Sequence, residues 1–284
     1  MLQIQRKAQL TGHNAAVFAL APAQEPRYFF SAAGDGWVVR WDMEEPDLGK
    51  LVAKVDNQLF ALLYLPEGGK VIAGNMNGGL HWIDIDQPDR TCNIAHHKKG
   101  VYAIIRAGDS VLTAGGEGLL TRWSAEEGRS LESIQLSKMS LRGLDYSPLR
   151  NEIAAGASDH QIYVLDATTL AVKKTIPGAH ANSVFSVRYS PDGRYLLSGG
   201  RDAFLRIWER KTGLACRNNR PIGTPLTISL FILPDNISPL PAATRPSRYG
   251  MPQPTNCSKC WTRSATAATS TLLTLCFGLT ITAN

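Results

Sequence analysis

Two sets of side chains in this sequence hold the residue types of hydrolytic chemistry. His13, Ser31 and Asp35 make one set and His180, Ser198 and Asp202 the other. A serine activated by a histidine that an aspartate orients can carry out acyl transfer. In both sets the Ser stands four residues before the Asp, and a Trp, Trp41 or Trp208, stands six residues after it. Neither serine has the strand-to-helix turn that exposes a nucleophile, so neither set reads as catalytic. A half-buried Asp in a tight turn needs donors, a His and a hydroxyl supply them, and a Trp covers the group with apolar surface. The sets therefore read as structural networks, and no residue of the chain is assigned a catalytic role.

The other candidate ligand groups are weaker. His96-His97-Lys98-Lys99 has the types to hold an anion or a metal, but it precedes an apolar run and reads as an equivalent of Gly12-His13 with solvated charge beside it. The remaining histidines, His81 and His160, have no partner set. Cys257-Ser258-Lys259-Cys260 is half of a zinc-ribbon spacing with no second pair, only the lone Cys276. No metal and no cofactor is implied. Five cysteines, with Cys92 and Cys216 isolated, do not form a disulfide framework. Residues 1–7 lack the apolar segment of a secretory leader, and a cytoplasmic location is expected.

These sets recur because the chain repeats. The segments Val38-Val39-Arg40-Trp41-Asp42 and Leu205-Arg206-Ile207-Trp208-Glu209 superimpose, and the Trp41 slot returns as Ile83, Trp123, Leu165 and Trp208 at steps of 42, 40, 42 and 43 residues. Each copy holds a short alternating run such as Val17-Phe18-Ala19-Leu20, a turn, an apolar run, a Gly-rich turn and a strand ending at the Trp slot. In the fifth copy the middle turn is Ser190-Pro191-Asp192-Gly193, where Pro presets φ and Gly accepts a positive one. No helical period competes, and the body is expected to be all-β, with three strands per copy and one bridging to the next.

A period near 42 with Gly12-His13 and Trp41-Asp42 resembles the WD40 family of β-propellers over residues 1–216. The resemblance implies four-stranded blades in copies 8–50, 51–92, 93–134, 135–176 and 177–216, with His13, Ser31, Asp35 and Trp41, and His180, Ser198, Asp202 and Trp208, as networks inside blades. Copies two and four depart from the pattern, with Ala73 and Ala155 at the hydroxyl slot and Ile83 and Leu165 at the Trp slot. Copy three keeps Thr113 and Trp123 but carries Glu117 at the Asp slot. These three blades are expected to rely on apolar packing rather than the polar network, and to be the less rigid ones.

The last 68 residues differ in kind: they hold eight of the 16 prolines and 6 Lys+Arg against one acid, Asp235. Residues 1–216 hold 24 Lys+Arg against 23 Asp+Glu, so the net charge of +6 belongs mostly to the tail, and no nucleic-acid surface is expected on the body. Propellers of the resembled family usually close with seven blades, and residues 2–9 would be their closing strand. One base gained near Arg217-Asn218 would explain the shortfall. Read in the restored phase, the tail from Pro221 gives a sixth copy, with a Thr four before an Asp and the Asp six before a Trp. The uncharged stretch 264–284, rich in Thr and Ala, does not read as a membrane anchor. Nor does 221–254 read as a functional Pro-rich linker. Residues 217–284 are expected to be a frameshifted or disordered tail.

The resemblance implies a non-catalytic scaffold for a protein or peptide partner; nucleic acid, membrane and small-molecule substrate are not expected. The family's favoured contact position is the residue after the first apolar residue of the innermost strand. Here it is Phe18, Phe60, Tyr102, Arg142 and Phe185, with Arg201 as a weaker addition and Gln58 and Ser183 as polar neighbours. The competing role for these side chains is packing in the channel wall. A competing class is a propeller enzyme with acids or histidines converging in the channel.

Overall fold

The computed structural model describes residues 9–45, 47 and 49–209, with the backbone of three short strands beyond them. The tail features, Cys257-Ser258-Lys259-Cys260, the stretch 264–284 and the out-of-phase repeat, lie outside the described residues except for those strand backbones. The body is five antiparallel sheets of four strands, each strand paired with the next in sequence. Blade 1 contains β1 (Val17–Pro22), β2 (Tyr28–Ala33), β3 (Trp37–Asp42) and β4 (Lys50–Lys54). Blade 2 contains β5 (Leu59–Leu65), β6 (Lys70–Asn75), β7 (Gly79–Asp84) and β8 (Cys92–Ala95). In blade 3 these are β9 (Val101–Ala107), β10 (Ser110–Gly115), β11 (Leu119–Ser124) and β12 (Ser130–Gln135). Blade 4 has β13 (Leu141–Ser147), β14 (Glu152–Ala157), β15 (Ile162–Asp166) and β16 (Val172–Ile176). Blade 5 has β17 (Val184–Tyr189), β18 (Tyr195–Gly200), β19 (Phe204–Glu209) and β20 (Arg220–Pro221). A hairpin of β21 (Leu273–Thr274) and β22 (Thr280–Ile281) completes the strands.

The second strand of each blade is apolar on both faces because it is covered on both faces. In β6, Val71 and Ala73 pack with Phe30 and Val38 of blade 1, while Ile72 packs with Val101 and Trp123 of blade 3. Leu112 and Leu120 meet Leu141 and Ile153 between blades 3 and 4, and Ile162 meets Val184 and Trp208 between blades 4 and 5. Leu59, Leu141 and Ile153 are fully buried, and each contributes about 1.5–3 kcal/mol of transfer free energy. The Trp slot always faces the preceding blade. In blade 1 that face is covered by Leu10, Leu20 and Phe29, leaving Trp41 only 2% exposed. Gly12 is required there, since a Cβ on it would lie 2.9 Å from the Trp41 ring.

The tight turn between second and third strands carries the network acid, replaced by Asn77 in blade 2, and the residue after it takes a left-handed conformation. In blades 1 to 3 that residue is Gly36, Gly78 or Gly118, where a Cβ would come within 1.9–2.0 Å of the carbonyl oxygen of Val55, His97 or Ser137. In blades 4 and 5 the same position is His160 and Ala203, held at φ of 72° and 62°. These two turns carry backbone strain that the first three avoid.

The polar networks form as expected in blades 1 and 5 and correct the expectation for blade 3. His13 Nδ1 lies 3.0 Å from Asp35, His13 Nε2 2.6 Å from Ser31 Oγ, and Trp41 Nε1 donates to the same hydroxyl at 2.7 Å. His180, Asp202, Ser198 and Trp208 repeat the arrangement at 2.8, 2.7 and 2.8 Å. A carboxylate only accepts, so in each set the imidazole donates from Nδ1 to its Asp and accepts at Nε2 a hydrogen bond from the hydroxyl. Blade 3 is not held by apolar packing alone. His97 bonds Glu117 at 2.7 Å and Thr113 at 2.8 Å, and Trp123 Nε1 donates to Thr113 at 2.9 Å. The longer Glu preserves the His contact but leaves its Oε2 buried without a partner, whereas both Asp35 oxygens accept backbone N–H groups.

Blade 4 substitutes different groups. Ser137 and Tyr163 both donate to Asp159 at 2.6 Å, so Ser137 occupies the His slot, and burial together with Asp159 pushes the Tyr163 phenol up to about 12. Ala155 and Leu165 pack in the core beside this set. In blade 2, Ala73 and Ile83 are packed by apolar neighbours as expected, and His81 is linked instead to Asn75 and Asn93.

Candidate protein-interaction site

In every blade the innermost strand carries a bulge at the same place. The register of β1 on β2 skips between Val17 and Ala19, of β5 on β6 between Leu59 and Ala61, of β13 on β14 between Leu141 and Gly143, and of β17 on β18 between Val184 and Ser186. In β9, Val101 and Ala103 pair with consecutive residues of β10. The extra residue is Phe18, Phe60, Tyr102, Arg142 or Phe185. A bulged residue leaves the ladder and its side chain is re-aimed. The residue before it, fully buried as Leu59, Val101, Leu141 and Val184, keeps its place between blades.

The five bulged side chains meet. Phe18 and Phe60 stand edge to face with centroids 4.9 Å apart, and Phe60 and Tyr102 follow at 5.5 Å. The Arg142 guanidinium lies 3.9 Å from the Tyr102 ring centroid and 5.7 Å from that of Phe185. It also reaches Ser158 Oγ at 3.3 Å. All five are half-buried. They line one cavity of about 360 Å³ together with the small residues Ala19, Ala61, Ala103, Gly143 and Ser186 that follow them. The channel-wall role and the contact role are thus both open to these residues: each ring packs on its neighbour and keeps part of its surface in solvent.

Arg201 sits elsewhere. It is exposed in the tight turn of blade 5, its backbone N–H donates to Ser183 at 2.9 Å, and it is not among the residues lining the cavity. The equivalent bond from Met76 to Gln58, also 2.9 Å, places Met76 at the same end of blade 2. These bonds tie each turn to the loop entering an inner strand, so turns and bulges share one end of the array.

Sequence reasoning missed a charged pair between two inner strands. Asp145 of β13 accepts from Arg188 of β17 at 2.8 Å and from the Tyr189 N–H at 2.6 Å. Burial pushes the Asp145 carboxyl up, against the opposing pull of Arg188. Equivalent slots in blades 1 to 3 hold Ala21, Leu63 and Ile105, so this slot is apolar in three blades and charged in two. Aligning the copies shows opposite charges at this slot in consecutive copies, which was the available signal.

The Ser-His-Asp sets are closed to substrate. Ser31 and Ser198 are 0% and 1% exposed, and each hydroxyl is shared between an indole and an imidazole. Burial pushes the His180 imidazole down while Asp202 pulls it up, the balance lying below its usual value. Burial opposes the Asp202 charge, yet Arg206, His180 and the Ala181 N–H hold the carboxyl well below the usual range.

Comparison with known proteins agrees with this architecture. The family described as "WD domain, G-beta repeat" matches residues 4–42 and 172–209. The chain is 25% identical over 209 residues to a guanine nucleotide-binding protein subunit beta of Saccharomyces cerevisiae, covering 72% of this chain and 48% of that one. It is 23% identical over 213 residues to guanine nucleotide-binding protein subunit beta-5b of Danio rerio, covering 70% and 53%. Against target of rapamycin complex subunit LST8 of Bos taurus it is 29% identical over 116 residues, 40% and 35% of the two chains. The chain thus spans about half the length of the two subunit beta relatives. Five sheets of one design, three of them holding the His, hydroxyl, acid and Trp set, accord with the match of residues 4–42 and 172–209 to WD40 repeats.

Proposed function

We propose that the chain is a non-catalytic scaffold that binds a protein or peptide partner over the bulged ring Phe18, Phe60, Tyr102, Arg142 and Phe185, with no cofactor. The observation that carries this is the continuous ladder of four aromatic rings and one guanidinium, half-buried around one cavity mouth. Aromatic and Arg side chains dominate interface energetics, and truncating such an anchor costs roughly 2 kcal/mol or more. The relatives named above are described as subunits, which accords with work inside an assembly. The residue types of a hydrolase are buried in the blades, which supports a role other than catalysis. A cytoplasmic location accords with a free, exposed Cys92.

Photo-crosslinking tests the reading. A benzoylphenylalanine at position 60 should trap a partner that the same group at Leu131, on an outer strand, does not, and Tyr102→Ala should reduce the yield. Equal trapping at both positions would sink the assignment.

A further inference from the structure

The two ends of the blade array differ in their exposed acids. At the end away from the bulges, Arg27 pairs with Glu44 at 2.7 Å, Arg106 with Glu67 at 2.6 Å, Arg129 with Glu127 at 2.9 Å and Lys173 with Asp166 at 2.7 Å. Exposed Glu45, Asp86, Asp89 and Glu126 add negative charge there, beside Lys50, Arg90 and Arg150, which make no ion pair among the described residues. At the bulge end, exposed Lys98 and Lys99 lead into β9, exposed Lys138 leads towards β13, and Arg201 tops blade 5. None of these four makes an ion pair among the described residues. The turn acids of that end, Asp35, Glu117, Asp159 and Asp202, are engaged inside their blades. Asp56 is the one other acid of the loops and turns there among the described residues.

The cations are also unevenly placed around the ring. Lys98, Lys99, Lys138, Arg142 and Arg201 belong to blades 3 to 5 and the loops entering them. Blades 1 and 2 present Phe18, Phe60 and Met76, the last 51% exposed, with Lys54 as their one exposed cation at this end among the described residues. Cations are thus denser over blades 3 to 5, where Tyr102, Phe185 and the 51% exposed Met139 stand among them, and the cavity of about 360 Å³ opens at the centre of this end.

The geometry points to an acidic peptide segment as the partner: a large apolar side chain at the Phe18–Phe60 arc, with carboxylates spread over Lys98, Lys99, Lys138, Arg142 and Arg201. This rests on the scaffold reading above and gives it a partner chemistry. Charge complementarity of this kind steers encounter and fixes orientation. A nucleic acid fits less well. It brings about one charge per 1.7 Å of duplex, whereas this end has spaced cations with apolar groups among them, on a body that is close to neutral overall.

Fluorescence anisotropy on the full chain tests the assignment, using a labelled short peptide with one Phe flanked by Asp and Glu, and its Asn and Gln analogue. The acidic peptide should bind, weaken with rising salt, and lose about tenfold or more in affinity to a Lys99→Glu/Arg201→Glu double variant. Both positions are exposed and unpaired, so circular dichroism and melting of that variant should match the parent. Arg129→Glu, at the other end, should leave binding unchanged. Equal affinity for the neutral analogue overturns the assignment, as does full affinity in the double variant. Failure of both peptides to bind at millimolar concentration overturns it too, as does tighter binding of a single-stranded oligonucleotide of equal charge. If the neutral analogue binds equally and Phe60→Ala abolishes that binding, the charge assignment falls while the scaffold reading stands. If neither peptide binds, the crosslinking experiment decides the scaffold reading on its own.

Discussion

Thr113→Val separates a blade held by a polar network from one held by packing alone. The substitution is nearly isosteric, so it opens no cavity, and Thr113 is 0% exposed. Its hydroxyl serves two groups at once, Trp123 Nε1 at 2.9 Å and His97 Nε2 at 2.8 Å. Trp123 is 1% exposed and His97 5%, so neither finds water when the hydroxyl goes. Two orphaned buried groups at about 1–3 kcal/mol each put the cost at roughly 2–6 kcal/mol. Trp123→Phe removes only the indole donor and part of the ring, and combining the two should cost less than their sum, with a coupling of about 1–2 kcal/mol. Urea denaturation gives the total, and hydrogen exchange resolved to β10 and β11 assigns it to blade 3, since an array of blades need not unfold in two states. If Thr113→Val costs under about 0.5 kcal/mol and adds simply to Trp123→Phe, the network contributes nothing and the blade is held by apolar packing after all.

Three further outcomes follow from the same geometry. Ala203→Gly should raise stability by up to about 1 kcal/mol, because Ala203 holds a left-handed φ of 62° that glycine adopts freely; an unchanged or lower urea midpoint counts against strain in that turn. Stability should fall on acidification from about pH 7.5 to 5.5. His96, His97 and His180 have folded values pushed below 6.5 chiefly by burial, so the unfolded chain takes up protons first. Their contribution is complete above about 6.5 and is lost as pH drops through the folded values, and a melting temperature flat across that window would show they are not held neutral. The out-of-phase reading of the tail predicts one extra base near the codon of Arg217, and sequencing of the coding DNA that returns the frame as written refutes it.

The candidate site was legible in part. Phe18, Phe60, Tyr102, Arg142 and Phe185 follow from aligning the copies, because a repeat places equivalent side chains at equivalent points. Their contacts were not, because strand alternation alone does not show the bulge that lifts each one out of the ladder. The reading of blade 3 went wrong at one residue. Glu117 breaks the pattern in type, but its extra methylene still reaches His97, at the expense of one unbonded oxygen. Blade 4 was read as lacking the network, and Ser137 and Tyr163 rebuild a version of it from positions where no hydroxyl was sought.

What the sequence by itself determined is local and periodic: the four strands of each blade, the Gly-bearing turns, the apolar runs and the networks of blades 1 and 5. Those depend on neighbours within one copy, and the spacing of 40 to 43 residues writes them out five times. What only the tertiary structure decided lies between copies. Asp145 meets Arg188 across blades, and Arg142 lies over Tyr102 of one neighbour and near Phe185 of the other. Lys98, Lys99, Lys138 and Arg201, far apart in sequence, gather at the bulge end. These pairings join residues about 40 apart, and no local pattern encodes which side chain of one blade faces which of the next. Packing the blades side by side fixes it.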